Sequence, residues 1–282
     1  MDVVYVHSGN QNYLRTSLEI TGLKNNVILI GDENNKNLKK LNNIEFINQK
    51  ELLKNSNIHK YKSYFTNYST NPEYFEWLCF QRIFLIYELF KKLNISTIFH
   101  SDSDNVLLRD VNSIKFENSN CYLIPINQTE FDMVGSIHSS VLNKHFCEEF
   151  ITLYEDIYIN KTKFDLIAKK IEFHEKNNLK GGICDMTFYY LLSQYLDVQN
   201  LFLNTQLKNS DISIFIHDFK SSSGPNGQNT FLKNSKNIKI FKHYKVFDKI
   251  NNEFLYLNNI HFQGISKKYL NKFTKFKLSL YE

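Results

Sequence analysis

The chain has 282 residues, 42% of them hydrophobic, 15% aromatic and 22% charged, with a formal net charge of +5 at pH 7. Its 9 glycines and 3 prolines exclude a collagen-like chain, and its aromatic content excludes intrinsic disorder and a simple coiled coil. No segment approaches the ~20 consecutive apolar residues that a membrane-spanning helix needs, so we expect a soluble globular protein.

The cysteines and the first residues indicate a cytoplasmic protein. Cys79, Cys121, Cys147 and Cys184 form no Cys-x-x-Cys pair, which argues against a zinc cluster and a disulfide scaffold. Met1–Val6 shows no basic region ahead of an apolar run, so we expect no secretory signal and reduced thiols. The positive charge is mostly lysine scattered along the chain, which is typical of a solvated surface and does not indicate a nucleic-acid partner.

The first thirty residues predict a strand-helix-strand unit. Val3–Val6 is a short apolar run, Tyr13–Ile20 has apolar residues at helical spacing, and Val27–Ile30 is an unbroken apolar run. An unbroken apolar strand is what a parallel sheet covered on both faces requires. Residues 44–47 predict a third strand.

The rest of the N-terminal half continues this pattern. Residues 54–74 predict irregular structure, whereas Tyr74–Leu93 has apolar residues three and four apart and predicts a long helix. We expect Trp77 and the other aromatic residues of this helix to belong to the core. Ser96–Phe99 and Cys121–Ile124 predict two further strands.

The second half predicts a mixture of helices and short strands. Helices are expected at 140–158, 162–176 and Asp185–Leu196, with Ser139 and Ser140 as caps of the first. Short strands are expected at 199–203, 212–216, 238–241 and 254–262. Ser221–Gly227 predicts a flexible loop. The expected fold is therefore α/β, with a Rossmann-like, mostly parallel central sheet flanked by helices, a mixed α+β C-terminal half, and a single domain over residues 1–282.

Asp102 and Asp104 are the first candidate site. They follow the predicted Ser96–Phe99 strand, and ligand sites in open α/β sheets lie beyond the carboxyl ends of strands. Two carboxylates two residues apart can face one side, bind a hard divalent cation and present it to a diphosphate. The alternative is that both are solvated turn residues, since chance supplies about one such pair in a chain of this length.

A second candidate group consists of His261, Gly264 and Lys267, which follow a predicted strand at three-residue steps. A neutral imidazole is a good third ligand for Mn²⁺ and adds no negative charge. Gly264 would let the backbone approach a phosphate, and Lys267 would neutralise that phosphate as a point charge. The alternative is a strand-end histidine followed by the start of a basic helix.

Together the two groups resemble motifs of glycosyltransferases of the GT-A fold. The two aspartates match the Asp-x-Asp metal motif that follows the Rossmann-like half of these enzymes. The pattern His261-x-x-Gly264-x-x-Lys267 is similar to the C-terminal motif of glycogenin and of bacterial lipopolysaccharide galactosyltransferases. The resemblance implies that Asp104 and His261 bind Mn²⁺ or Mg²⁺, that Asp102 binds this metal or the ribose of the donor, and that Lys267 holds the donor pyrophosphate.

The resemblance also implies roles in the N-terminal half. His7, Ser8 and Gly9, in the first loop, would contact the base and ribose of the nucleotide. Asp32, after the second strand, would meet the base, and Arg82, in the long helix, would lie near the donor. For Arg82, pairing with a helix neighbour is an equally good interpretation.

The Gly181–Thr187 segment, like Val27–Glu33, resembles uncharacterised bacterial glycosyltransferases of surface-glycan clusters. Paired glycines that open a helix would let a substrate approach backbone amides. Asp185 could deprotonate an acceptor hydroxyl in an inverting enzyme, hold the sugar or acceptor in a retaining one, or simply cap the helix. Asp132 and Glu130 are lesser candidates in a loop expected to contact the sugar.

The sequence therefore predicts a metal-dependent glycosyltransferase of the hexosyltransferase type. Its donor would be a nucleotide-diphosphate sugar, with a UDP-sugar favoured, and residues 1–125 would bind it. Its acceptor would be a cell-surface glycan, and residues 126–282 would bind it. One alternative is a nucleotidyltransferase, although His7–Tyr13 contains no lysine or arginine. The other is a non-catalytic, metal-dependent module that binds a sugar or nucleotide.

Lys267–Lys277 carries five lysines among aromatic residues. This segment could rest on an anionic membrane surface that carries a lipid-linked acceptor, with an ordinary solvated helix as the alternative. We therefore expect a cytoplasmic protein, with peripheral contact at the inner face of the membrane through this segment.

Overall fold

The computed structural model describes residues 1–54, 56–126, 128–203, 205–209, 211–216, 242–248 and 252–270. The strands are β1 (Val3–His7), β2 (Val27–Gly31), β3 (Ile44–Asn48), β4 (Thr97–Ser101), β5 (Asn105–Leu107), β6 (Ile114–Lys115), β7 (Cys121–Leu123), β8 (Ser136–Asn143), β9 (Gln199–Asn200), β10 (Thr205–Leu207), β11 (Ile212–Ile214), β12 (Lys245–Asp248), β13 (Glu253–Leu257) and β14 (Asn259–His261). The helices are α1 (Tyr13–Thr21), α2 (Gln49–Leu53), α3 (Ile58–Tyr64), α4 (Glu73–Leu93), α5 (Lys144–Tyr154), α6 (Asp165–Lys176), α7 (Asp185–Ser193) and α8 (Lys267–Leu270).

Seven strands form the central sheet in the order β3-β2-β1-β4-β8-β7-β9. The first four are parallel to one another, whereas β8 runs antiparallel to both of its neighbours. All five residues of β2 are buried, as expected for a strand of a parallel sheet covered by helices. The predicted α/β class, with a mostly parallel central sheet flanked by helices, is confirmed.

Alternate residues of β1 enter two different cores. Val4 packs on one side of the sheet with α4, α5 and α7, where Phe80 and Phe84 belong to a dense aromatic cluster. Val3 and Tyr5 pack on the other side with α1. Because successive side chains of a strand point to opposite faces, one continuous apolar strand supplies both cores.

The long helix α4 has both core and exposed aromatic residues. The predicted core position is confirmed for Trp77, Phe80 and Phe84, which are at most 5% exposed. It is wrong for Tyr74 and Phe75, which are 72% and 49% exposed. These two residues lie in the first turn of α4, on a side of the helix that the rest of the protein leaves open.

A second sheet and a two-stranded ladder form the mixed C-terminal half. The second sheet has the order β12-β13-β11-β10-β6, and β14 pairs with β5 in the separate ladder. The β14–β5 ladder is antiparallel and sets His261 opposite Asn105. A late part of the chain is thereby placed beside the residues that follow β4.

Strand β8 replaces the start of a predicted helix. Residues 140–143 are strand, and Ser139 and Ser140 pair with β4 in the centre of the sheet, so their predicted role as helix caps is wrong. Asn143 caps α5 instead, because its side chain accepts a hydrogen bond from the Phe146 amide. A short buried segment has no periodicity that distinguishes strand from helix, and here pairing with β4 decided the outcome.

Other boundaries also differ from the predictions. The 54–74 region, predicted to be irregular, contains α3. The 254–262 run is interrupted at Asn258 and divides into β13 and β14. The predicted strand at 238–241 and the Ser221–Gly227 loop lie outside the described residues. Within the described ranges, no helix has both the length and the apolar character needed to cross a membrane.

Candidate metal centre and central cleft

The turn that carries Asp102 and Asp104 connects β4 to β5 at the carboxyl end of β4. Since β5 pairs with β14, His261 lies opposite Asn105. The Phe262 amide donates a hydrogen bond to the Asp104 carbonyl over 2.9 Å and continues this pairing into the turn. Strand pairing therefore joins the two sequence motifs in one place.

Asp102, Asp104 and His261 form a cluster whose candidate ligand atoms all lie within 4.8 Å of one another. We call it the Asp-Asp-His cluster. Asp104 Oδ1 lies 3.2 Å from His261 Nε2, and these two residues are 7% and 4% exposed. Two carboxylates and one imidazole are a donor set that Mn²⁺ or Mg²⁺ accepts, so the residues present fit a divalent cation.

Lys267 contacts the same carboxylate. Its Nζ lies 3.0 Å from Asp104 Oδ2. Burial would raise the pKa of Asp104, but the charges and hydrogen bonds of His261 and Lys267 hold that pKa well below its usual range. Burial in turn lowers the pKa of Lys267, but the charge and hydrogen bond of Asp104, together with Tyr13 and Asp102, raise it above its usual value. Asp104 is therefore ionised and has a cationic partner at neutral pH.

A buried polar network supports the Asp-Asp-His cluster. Asn105 Nδ2 donates to Ser139 Oγ over 2.9 Å, and Asn259 Nδ2 donates to Asn105 Oδ1 over 2.7 Å. The rings of His138 and His261 stack with their centroids 4.1 Å apart. These contacts hold β5 against β14 and fix the plane of the His261 imidazole. This network was not predicted, and polar residues inside apolar strands were its only signal in the sequence.

Arg82 links Asp102 to Asp185. Its Nη1 donates to Asp102 Oδ1, and its Nη2 lies 2.6 Å from Asp185 Oδ2. Burial would lower the pKa of the guanidinium, but the nearby acidic groups, Asp102 first, raise it above its usual value. Both partners lie outside α4, so the interpretation in which Arg82 pairs with a helix neighbour is wrong.

Asp185 is the first residue of α7 and is 3% exposed. Its Oδ2 accepts hydrogen bonds from Arg82 and, over 3.0 Å, from the Tyr189 hydroxyl. Cys184 occupies the N-cap position, so the carboxylate of Asp185 is not the helix cap. A buried carboxylate that accepts two hydrogen bonds is suited to holding Arg82. Its predicted roles as a general base, or as a contact of the sugar or acceptor, stay predictions.

The first loop is held by Asp32. The Gly9 amide donates to Asp32 Oδ2 over 2.7 Å, and Asn35 Nδ2 donates to the Gly9 carbonyl over 2.8 Å. Gly9 has φ +102°, a conformation that favours glycine. Asp32 also accepts from the Asn34 amide at the start of the 3₁₀ helix Glu33–Lys40. The hydrogen bonds of Asp32 therefore stabilise the conformation of the first loop.

His7 and Ser8 occupy the same loop. His7 Nε2 forms a hydrogen bond with Gln11 Oε1, and burial lowers the pKa of the imidazole. Ser8 Oγ donates to Gln49 Oε1 over 3.1 Å, which connects the carboxyl ends of β1 and β3. The structure thus brings the four residues predicted to contact the nucleoside into one place, although their role in binding stays a prediction.

A cleft of about 250 Å³ connects this loop to the candidate metal centre. We call it the central cleft. Its walls come from the first loop, the N-terminal half of α4, the start of α8 and the turn that follows β4. The lining residues are Val6, His7, Ser8, Gln11, Tyr13, Gln49, Tyr74, Phe75, Leu78, Cys79, Gln81, Arg82, Leu85, Asp102, Ser103, Asp104 and Lys267. Gln11, Gln49, Tyr74 and Phe75 were not among the predicted site residues. For the two glutamines, a position shortly after a strand was the only signal in the sequence.

Gly264 lies in an exposed 3₁₀ turn between β14 and α8. It has φ +54°, and a Cβ added there would meet nothing within 4 Å. The left-handed conformation, not close packing, is therefore what favours glycine at this position. Its predicted approach to a phosphate stays a prediction.

Asp132 and Glu130 lie in a loop beside α6, and Glu130 is exposed. Asp132 Oδ2 accepts hydrogen bonds from the amide and hydroxyl of Thr129. Lys170 Nζ donates to the Asp132 carbonyl over 2.8 Å and to Thr187 Oγ1 over 2.9 Å. In the part of the chain that the structure describes, none of these contacts joins Asp132 to the Asp-Asp-His cluster.

We expect Lys170→Met to destabilise the protein by about 1–3 kcal/mol, because two buried oxygens lose their donor. Lys170 is 3% exposed, and its burial lowers the pKa of the ammonium. Urea denaturation measures the change. Lys169→Met, at an exposed position of the same helix, is the control and should stay within about 0.5 kcal/mol of the original protein. Equal stabilities of the two variants would contradict the role of Lys170.

The paired glycines before α7 pack against another loop. The Thr70 amide donates to the Gly181 carbonyl, and the Ile183 amide donates to the Tyr68 carbonyl, both over 2.9 Å. Gly182 has φ +132°, and a Cβ added to it would lie 2.2 Å from the Tyr68 carbonyl oxygen. The Gly181 amide itself donates to Thr70 Oγ1. These contacts give the glycine pair a structural role, and the predicted approach of a substrate to its backbone amides stays a prediction.

Comparison with known proteins adds a general likeness. No family model matches the sequence, and the search of curated proteins finds no match. Similar solved structures include the apo form of mouse xyloside xylosyltransferase 1, at 10% identity and a TM-score of 0.42, over 69% of this chain and 82% of that one. PaToxG glycosyltransferase is 13% identical, with a TM-score of 0.40 and 69% of each chain covered.

A third similar structure is a glycosyltransferase involved in the glycosylation of the major capsid of PBCV-1. It is 9% identical to this chain, with a TM-score of 0.41 and coverage of 96% of this chain and 98% of that one. At such identities and scores these likenesses assign neither a reaction nor a substrate to the protein.

Proposed function

We propose that the protein is a metal-dependent glycosyltransferase of the GT-A type, which uses a nucleotide-diphosphate sugar, UDP-sugar favoured, as its donor. The observation that carries the proposal is the Asp-Asp-His cluster with Lys267 beside it, at the carboxyl end of β4. Such a position is where open α/β sheets bind ligands. A cation site next to an ammonium suits a diphosphate, which carries several negative charges and binds both.

In this proposal Asp102, Asp104 and His261 hold Mn²⁺ or Mg²⁺. When bound, such an ion neutralises the negative charge that develops on the leaving diphosphate. Lys267 adds a second positive charge to the same diphosphate. Because its Nζ contacts Asp104 in this structure, binding of the donor would require the ammonium to exchange that carboxylate for phosphate oxygens.

The proposed roles of the neighbouring residues follow from their contacts. Arg82 orients Asp102, and Asp185 holds Arg82, so Asp185 is a positioning residue. The first loop, His7–Gly9, contacts the nucleoside while Asp32 keeps the loop in place. Gly264 leaves the backbone before Lys267 open to a phosphate.

We further propose that residues 1–282 act as one domain, with the donor bound mainly by residues 1–125. The Asp-Asp-His cluster supports this proposal because it takes ligands from both halves. The acceptor would be a growing cell-surface glycan, free or lipid-linked, bound by residues 126–282 near Asp132. The proposed membrane contact at 267–277 lies mostly outside the described residues.

Calorimetric titration of UDP tests the donor site. We expect binding with Mn²⁺ present, none with EDTA, and a loss on the order of 100-fold in Asp104→Ala, which leaves His261 and Lys267 without their buried partner. Asp165→Ala, at an exposed position of α6, is the matched control and should bind UDP as the original protein does.

The same titration can contradict the proposal. Absence of binding to UDP, GDP and CDP with Mn²⁺ present would rule out the donor site. If a nucleotide binds, slow release of free nucleotide from the matching nucleotide sugar supports glycosyl transfer. Release of pyrophosphate from a nucleoside triphosphate and a sugar phosphate would instead support a nucleotidyltransferase. Binding without any turnover would favour a non-catalytic module.

A further inference from the structure

One end of the central cleft is apolar, and its residues are not part of the candidate metal centre. Tyr74 and Phe75 line the cleft, and they are 72% and 49% exposed. Exposing two adjacent aromatic rings to water costs free energy, because their apolar surface is not buried against other residues. Leu78, one turn further along α4, lines the same wall.

The distance along α4 separates this aromatic end from the cation site. Arg82 contacts Asp102 and so marks the point where α4 meets the Asp-Asp-His cluster. Tyr74 and Phe75 lie eight and seven residues earlier, which is about 10–12 Å along a helix with a rise of ~1.5 Å per residue. A ribose can occupy the space between a phosphate at the cluster and a ring at the aromatic end.

The lining of the cleft also has polar residues. Ser8 and Gln49 are among them and are joined by a hydrogen bond of 3.1 Å. A hydroxyl and an amide can read the polar edge of a planar heterocycle, whereas aromatic rings contact its face. A lining with aromatic rings, a hydroxyl and an amide therefore fits a nucleobase, whose face is apolar and whose edge is polar.

Tyr13 also lines the cleft, but its ring is already engaged. Its edge contacts His7, with the ring centroids 6.1 Å apart, and Lys267 Nζ lies 5.4 Å from its centroid. The contact with Lys267 places Tyr13 at the phosphate end of the cleft. Tyr74 and Phe75 are the aromatic residues of the lining that remain for a base.

We propose that Tyr74 and Phe75 form the stacking wall for the base of a nucleoside diphosphate whose phosphates lie at the Asp-Asp-His cluster. This inference rests on the proposed function and adds the part of the site that recognises the base. Stacking on aromatic rings tolerates different bases, so the wall contributes affinity, and Ser8 and Gln49 contribute the choice among bases.

Paired titrations with UDP and with inorganic pyrophosphate, both with Mn²⁺, test the proposal. We expect Tyr74→Ala and Phe75→Ala each to weaken UDP binding by roughly 5- to 150-fold, since each removes a stacking surface, and to leave pyrophosphate binding unchanged. Tyr74→Phe and Phe75→Tyr keep a ring and should bind UDP within about twofold of the original protein. Tyr64→Ala removes a 45% exposed tyrosine outside the cleft and serves as the control.

Three outcomes would overturn the inference. Unchanged UDP binding in both alanine variants would show that the base lies elsewhere, while the donor site itself stands. An equal loss of UDP and pyrophosphate would show that the residues support the phosphate site and not the base. Failure of the original protein to bind any nucleoside diphosphate would remove the proposed function together with this inference.

Discussion

Replacing Arg82 with methionine will lower the free energy of unfolding by about 3–5 kcal/mol, the usual cost of removing one member of a buried ion pair. The Arg82 side chain is 16% exposed and that of Asp185 is 5% exposed, so water has little access to the Asp185 carboxylate once the guanidinium is removed. Without it, the carboxylates of Asp102 and Asp185 are left without their shared cation. The two carboxylates repel each other, and the carboxylate of Asp185 stays buried without a positive charge beside it.

Urea denaturation at neutral pH measures this effect. Arg15→Met is the matched control, because Arg15 forms an exposed pair with Glu19 on α1 and should contribute at most about 0.5 kcal/mol. The double variant with Arg82→Met and Asp185→Asn should recover a large part of the loss, since the unpaired buried charge is gone. A loss below about 1 kcal/mol in Arg82→Met would contradict the proposed bridge.

A second large effect is expected for Gly182→Ala. The new Cβ would lie 2.2 Å from the Tyr68 carbonyl oxygen and 3.0 Å from the Ser69 Cα, both parts of the backbone. The conformation at φ +132° is also strained for alanine. Overpacking and backbone strain each cost about 1–3 kcal/mol, so we expect a destabilisation of about 2–6 kcal/mol.

Gly264→Ala is the control that separates these two costs. At φ +54° alanine is also disfavoured, but the added Cβ has open space around it. We expect a loss of about 1–2 kcal/mol there, from the left-handed conformation alone. Thermal unfolding of the two variants measures the difference. Equal losses at the two positions would mean that the 68–70 and 181–183 loops move apart easily.

The best predictions came from long or unbroken patterns. The apolar runs at Val3–Val6 and Val27–Ile30 became neighbouring parallel strands, and the periodic Tyr74–Leu93 run became α4. These patterns are informative because burial on both faces of a sheet, or along one face of a helix, constrains every residue of the element. The β8 strand had no such pattern, because its serines are polar yet buried in the sheet centre.

The candidate site likewise has features that were predictable from the sequence and features that were not. The position of Asp102 and Asp104 after a strand end, and the spacing of His261 to Lys267, were sufficient to predict a metal centre, and the three candidate ligands do lie together. The partners of Arg82 were not predictable. An arginine on a helix can reach several neighbours, and only packing determines which carboxylates remain within its reach.

The sequence by itself determined the α/β class, the parallel direction of the first strands and the chemical types of the candidate metal ligands. These depend on residues close together in the chain, whose periodicity and neighbours are visible directly. Only the tertiary structure decided that β14 pairs with β5, that Asp185 holds Arg82, and that Tyr74 and Phe75 face a cleft. Those features join segments far apart in sequence, and their contacts follow from strand pairing and packing, which no local pattern encodes.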